Sequence, residues 1–258
     1  VVLDLHLNDD SVSSQQMALK DVNENGIATA SAIDFWDSVS ATFAKNDLVM
    51  YELYNEPHID SYATWSAGDE TYAGMLEMYE VVRNNVGDNA IVLISGQKQY
   101  NYDAASLIQL DQENTDLTNI VFGAHPYMGS PQAGVPGKSA QGFSDLVDTL
   151  YAGSERPVFI TEFGQGDCGA DECYEYPGTW DGVTMSYTEA IATICNARGV
   201  SWTPWAWKPS MTDNSATCKP LAINGLNGSN LVLNTGYDAE QGVCADWSKV
   251  WSNFGTKA

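Results

Sequence analysis

Two glutamates stand where this sequence places its chemistry. Glu56 lies in Leu53-Tyr54-Asn55-Glu56-Pro57-His58, and Glu162 in Ile160-Thr161-Glu162-Phe163-Gly164. Each follows a short apolar run, so each sits where a strand stops. Paired carboxyls suit hydrolysis of a glycosidic bond: one protonates the leaving oxygen, and the other attacks the anomeric carbon or activates water. A retaining reaction needs them roughly 5 Å apart. We read Glu56 as acid/base and Glu162 as nucleophile. Asn55 is suited to bond a sugar 2-hydroxyl, and Tyr127 to orient Glu162. His6 and His125 suit sugar hydroxyls or carboxyl tuning. Trp205 offers a flat apolar face to a pyranose ring. His58 reads as a packing or supporting residue.

These residues need a frame. Apolar runs Val1–Leu7, Leu48–Tyr54, Ala90–Ser95, Ile120–His125, Pro157–Phe163 and Val200–Trp207 are nearly continuous in hydrophobicity. That pattern suits parallel strands buried on both faces. Amphipathic stretches Ser31–Lys45, Asp69–Val86, Ser139–Tyr151 and Gly182–Arg198 lie between them, with Ala104–Leu110 as a short helix. Repeated strand and helix predict an α/β fold with a parallel sheet, in one domain over 1–258. In such folds the site lies at the carboxyl ends of the strands. His6, Asn55-Glu56, Ser95-Gly96-Gln97, His125-Pro126-Tyr127, Glu162 and Trp205-Ala206-Trp207 all occupy strand ends. Ser210–Val243 reads as a long loop with a small hairpin around Leu231-Val232-Leu233, and Cys244–Phe254 as a closing helix.

Composition narrows the partners. Eleven Lys and Arg stand against 34 Asp and Glu, a formal charge of −23 over 258 residues. Such a chain repels phosphate backbones and anionic lipid, which argues against nucleic acid. No apolar run reaches the length of about 18 residues that a membrane span requires. The five cysteines lack zinc-ligand spacing. Cys168 and Cys173 are placed to close a small disulfide, and Cys218 and Cys244 a larger one; five reduced thiols are the alternative. Cys195 lies in a helical pattern and reads as a buried free thiol. Two disulfides would imply secretion. Asp167, Asp171, Glu172 and Glu175 lack an EF-hand pattern and read as a solvated loop, so no metal or cofactor is expected. Trp36, Trp247 and Trp251 have helical spacing and read as packing. Trp65 and Trp180 read as loop residues, either lining a sugar cleft or not.

The motifs resemble glycoside hydrolase family 5. Leu53-Tyr54-Asn55-Glu56-Pro57-His58 looks like its acid/base motif, His125-Pro126-Tyr127 its His-x-Tyr motif, and Ile160-Thr161-Glu162-Phe163-Gly164 its nucleophile strand. Asp4-Leu5-His6 is similar to its third-strand histidine, and Ser201-Trp202-Thr203-Pro204-Trp205 to its eighth-strand tryptophan. The resemblance implies a (β/α)8 TIM-type barrel, retention of configuration, and endo-acting hydrolysis of a β-linked polysaccharide. Endo-β-1,4-glucanase is the leading expectation; β-mannanase and β-1,3-glucanase are the alternatives.

The sequence also departs from that pattern. In the family two strands precede the Asp-x-His strand, and the second carries a site arginine. Here six β/α units are evident, and none of Arg83, Arg156 and Arg198 ends a strand. The first two units are expected to have been removed, to come from another chain, or to be absent from an open six-unit barrel. Open edges would favour self-association. An inactive carbohydrate-binding remnant of a barrel is the reading outside the enzyme class.

Overall fold

A computed structural model describes residues 1–6, 16–20, 31–98, 102–127, 139–163, 178–185, 187–204, 222–224 and 231–233. The chain divides into two compact units: Val1–His125 with Leu146–Phe159, and Pro126–Asp145 with Ile160–Ala258.

In the first unit strands and helices alternate: β1 (Val2–Asp4), α1 (Ala32–Phe43), β2 (Met50–Glu52), α2 (Tyr62–Ala67), α3 (Met75–Val86), β3 (Ile91–Ser95), α4 (Ala104–Glu113) and β4 (Ile120–Gly123). α5 (Ala140–Gly153) and β5 (Val158–Ile160) run across the boundary between the units. β1 to β5 pair in sequence order, each parallel to the next. Asp4 aligns with Glu52, and Glu52 with Leu93, so β1 and β2 stop at one level and β3 runs two residues further. Helical connections between neighbouring parallel strands are what the apolar runs required.

Large aromatic side chains on the helices hold the sheet. Trp36 of α1 is fully buried, and its indole N–H donates to the Leu53 carbonyl at 2.9 Å. Its ring meets Tyr51 of β2 edge-on, 6.1 Å between centroids. α1 begins at Ser31, whose hydroxyl accepts the Asp34 amide at 3.0 Å. That contact satisfies one of the helix's otherwise unpaired N–H groups.

Two helical expectations start too early, each for a local reason. In the stretch expected over Asp69–Val86, the Asp69 carboxylate accepts the Thr71 and Tyr72 amides, at 2.8 and 2.9 Å. This side-chain turn competes with the helix, so α3 begins only at Met75. In the stretch expected over Gly182–Arg198, β7 (Val183–Met185) instead pairs antiparallel with β6 (Gly178–Trp180). Asp181 and Gly182 have φ of 50° and 75°, the left-handed pair that a two-residue hairpin turn requires. The Asp-Gly step was a readable hairpin signal.

The second unit holds this hairpin, then α6 (Tyr187–Arg198), β8 (Ser201–Trp202), β9 (Ala222–Asn224) and β10 (Leu231–Leu233). β9 and β10 pair antiparallel, which supplies the hairpin expected around Leu231-Val232-Leu233. The sheet order is β1-β2-β3-β4-β5-β8, an α/β arrangement with six strands in the sheet. Cys195 on α6 is buried and unbridged, and burial pushes its thiol far up from the ordinary range. Cys168, Cys173, Cys218, Cys244 and the tail expected to be helical lie outside the described residues. No helix among the described residues is long and apolar enough to cross a membrane.

Candidate active site

The first unit gathers polar groups at its strand ends. Past β1 and β2, the Asn55 amide donates to the Leu5 carbonyl at 3.1 Å, and the Leu53 amide to the Leu93 carbonyl at 3.1 Å. These bonds extend the ladders and bring Asn55 and Glu56 to the sheet's carboxyl end. Asn55 is buried, while the Glu56 side chain remains 23% exposed. The segment after Glu56 is tied at several points. Gln16 Nε2 donates to the Glu56 carbonyl at 2.9 Å, and the Gln16 and His58 backbones exchange hydrogen bonds of 2.6 and 2.8 Å. Gln97, at the end of β3, donates to the Ile59 and Asp60 carbonyls, both at 2.9 Å.

His125, past β4, is buried between two carboxylates. Its Nδ1 lies 3.0 Å from Glu56 Oε1, and its Nε2 lies 3.6 Å from Glu52 Oε1. Glu52 is itself buried in β2. His6, past β1, is exposed, and its Nδ1 lies 2.8 Å from Asp4 Oδ2. Burial holds the Asp4 carboxyl above its ordinary value; the His6 contact opposes this, and the Glu52 charge adds to it. Asp4 Oδ1 has no hydrogen-bond partner among the described residues.

The second unit carries Tyr127 and Glu162. The Tyr127 hydroxyl donates to Glu162 Oε1, and both side chains are half-buried. Thr203 fixes the segment leading to Glu162: its amide donates to the Ile160 carbonyl at 2.8 Å, and its hydroxyl to the Thr161 carbonyl at 2.6 Å. Phe163 stands edge-on to Trp202, 5.4 Å between centroids. Accepting the phenol hydroxyl fixes the direction of one oxygen of the Glu162 carboxyl.

The structure thus joins His125 to Glu56, and Tyr127 to Glu162. It sets His6 on Asp4. Trp205 and Trp207 lie outside the described residues. Trp65 is corrected: it lies in α2, is fully buried, and donates from its indole to the Ser95 carbonyl at 3.2 Å, so it packs rather than lining a cleft. Trp180 lies in the β6–β7 hairpin and is half-buried. Glu52, Asp4 and Gln16 were missed as supports. An acid inside the apolar run Leu48–Tyr54 was the signal for Glu52, since a buried acid needs a partner.

The three arginines serve elsewhere. Arg83 of α3 donates to the Ala90 carbonyl at 2.6 Å and to the Thr118 carbonyl, and lies over the Tyr79 ring. Arg156 pairs with Asp111 at 2.8 Å, and Arg198 donates to the Ser144 hydroxyl at 2.6 Å. None stands at the carboxyl end of a strand.

Each unit thus carries a carboxyl past the end of a strand, Glu56 beside a histidine in the first and Glu162 accepting a tyrosine hydroxyl in the second. The sequence profile of Cellulase (glycosyl hydrolase family 5) matches residues 1–211. The chain belongs to that family. Endoglucanase EG-II of Hypocrea jecorina is 22% identical over 210 residues, covering 70% of this chain and 48% of the relative. Endoglucanase A of Butyrivibrio fibrisolvens is 32% identical over 142 residues, covering 55% of this chain and 28% of the relative. Among solved structures, the catalytic domain of Thermobifida fusca endoglucanase Cel5A is similar with a TM-score of 0.55 at 18% identity, covering 87% of this chain and 63% of that one. Cellulase Cel5C_n has a TM-score of 0.59 at 19% identity, covering 99% of this chain and 64% of that one. At such identity these likenesses show the fold: a barrel of the TIM type, present here as an incomplete one. The chain spans about half the length of the first curated relatives, and less of the others.

Proposed function

We propose that this protein hydrolyses internal β-1,4-glucosidic bonds with retention of configuration. Glu56 is the acid/base and Glu162 the nucleophile. The observation that carries this reading is the contrast between their partners. Glu56 lies against the buried His125 ring, which can donate to one of its oxygens and leave the other to face the leaving group; Glu162 accepts the Tyr127 hydroxyl, which directs one oxygen and leaves the other to attack. The first step breaks the glycosidic bond. Glu162 attacks the anomeric carbon, and Glu56 gives its proton to the leaving oxygen. In the second step Glu56 takes a proton from water, which attacks the glycosyl ester and releases Glu162. Asn55 bonds the 2-hydroxyl, His6 and His125 serve sugar hydroxyls or carboxyl tuning, and Trp205 stacks on the ring. The chemistry uses no metal or cofactor. The two carboxyls are expected roughly 5 Å apart when substrate binds.

A β-1,4-glucan substrate is supported by the relatives' names and by solved relatives in complex with cellopentaose and cellotetraose. β-Mannan and β-1,3-glucan are the alternative substrates. We place the protein outside the cell, where such polymers are met, with disulfides Cys168–Cys173 and Cys218–Cys244. One observation favours a second reading, a sugar-binding remnant that does not cut: among the described residues, none of Arg83, Arg156 and Arg198 stands at a strand's carboxyl end.

Reducing-sugar release from carboxymethylcellulose, measured beside binding to the same polymer, separates these readings. Glu162→Gln should lower kcat by about 10⁴-fold or more. Glu56→Ala should lose about 10²- to 10⁴-fold on the polymer but less on aryl glycosides with good leaving groups, and azide should restore part of the loss. Binding without release by the wild type supports the remnant. Near-wild-type release by Glu162→Gln overturns the nucleophile assignment.

A further inference from the structure

Glu52 has no role in the two-carboxylate reaction, yet it is an acid buried inside a strand of the sheet. It is 3% exposed, with its Oε1 3.6 Å from His125 Nε2. The opposite ring nitrogen of His125 lies 3.0 Å from Glu56 Oε1. His125 is itself only 2% exposed, so its ring nitrogens face these carboxylates out of contact with bulk water. A separation of 3.6 Å is beyond a good hydrogen bond, and the link is chiefly one of charge.

From this geometry we infer that Glu52 is a positioning residue that keeps a proton on each nitrogen of His125, so that Nδ1–H donates to Glu56 Oε1 and leaves Oε2 to face the glycosidic oxygen. This rests on the assignment of Glu56 as acid/base. A buried imidazolium is costly without a counter-charge, and Glu52 supplies it from the side away from the substrate. When Glu56 gives its proton to the leaving oxygen, the Nδ1–H bond stabilises the carboxylate that remains. The proton returns from water in the second step, so Glu52 and His125 end as they began.

Other groups in this unit fit that role. Asp4 aligns with Glu52 across β1 and β2 and interacts electrostatically with His125, but burial disfavours its anion, and its Oδ2 faces His6. β3 ends in Ser95, which is uncharged and whose hydroxyl has no partner among the described residues. β4 ends in Gly123, where an added Cβ would lie 3.1 Å from Ser95 Oγ and 3.5 Å from Glu52 Oε1. The space around the Glu52 carboxylate is thus kept by small groups. Among Asp4, His6, Glu52, Glu56 and His125, Glu52 is the buried acid that faces the far nitrogen of His125.

The test has a magnetic-resonance arm and a kinetic arm. The chain has three histidines, so imidazole ¹⁵N signals can be assigned by comparison with His125→Gln. In the wild type near neutral pH, His125 should show both nitrogens protonated. Glu52→Gln removes the charge at constant shape; it should lower the midpoint of that titration by about one pH unit or more. It should also lower kcat about tenfold with KM within about twofold, and move the alkaline limb of kcat/KM the same way. Glu52→Asp, which draws the charge back, should fall between. Should Glu52→Gln fail to fold, the wild-type signal still decides, because a neutral His125 near neutral pH overturns the inference. An unchanged midpoint in folded Glu52→Gln overturns it as well. If the wild type cuts no β-glycan while the magnetic signature holds, the hydrolase reading fails and the charge assignment stands. If it cuts while the signature is absent, the reverse is true.

Discussion

At the scale of single residues, the two glutamates differ in what holds them, and that difference supports the roles proposed for them. Glu56 is bonded to a buried imidazole, and Glu162 to a phenol hydroxyl. Tyr127→Phe removes that hydroxyl and little else. It should lower kcat/KM by about tenfold, with the melting temperature changed by at most a few degrees, as initial rates and thermal scans would measure. An unchanged kcat/KM would mean that Tyr127 does not orient the nucleophile. Asn55, Glu56 and Glu162 were legible as strand-end positions because each follows an apolar run. The partners of the site were less so. His125 could be paired with Glu56 only after β2 and β4 were known to flank β3, and Glu52 looked like one acid among 34.

At the scale of elements, β1 to β5 owe their order to helices that pack through aromatic side chains. Trp36 fills the space under β2 and anchors its indole on Leu53, three residues before Glu56. Trp36→Ala should cost about 3–5 kcal/mol in denaturant unfolding, since it opens a cavity and strands the Leu53 carbonyl. A loss below about 1 kcal/mol would show that the site collapses around the gap. The start of α3 is set by a close backbone approach. A Cβ on Gly74 would lie 2.2 Å from the Gly68 nitrogen, and Glu77 Oε2 accepts the Gly74 amide at 3.0 Å. Periodicity located these helices but could not end them, because the competing turn at Asp69 is a local hydrogen-bonding choice that an apolar stripe does not record.

At the scale of the whole molecule, buried ionisable groups couple stability to pH. Asp4 has its carboxyl held above the ordinary 3.8, chiefly by burial. The folded chain therefore binds this proton more tightly than the unfolded chain. The contribution is fully present below the ordinary value, and it is lost as pH rises through the interval up to the folded value. Asp4→Asn carries no titrating group there. Its melting temperature relative to wild type should rise as pH goes from about 3 to about 7, and a difference that stays constant would show that Asp4 does not carry this linkage.

The sequence by itself determined the strand–helix alternation, the strand ends that carry Glu56 and Glu162, and the family motifs around them. These are local properties: apolar runs mark buried strands, and a polar residue at the end of such a run sits at its mouth. Only the tertiary structure decided which of these side chains meet. The contact of His125 with both Glu56 and Glu52, the turn of His6 toward Asp4, and the burial of Trp65 beneath Ser95 depend on strand register and helix packing. Both bring together residues far apart in the chain, and no local pattern encodes them.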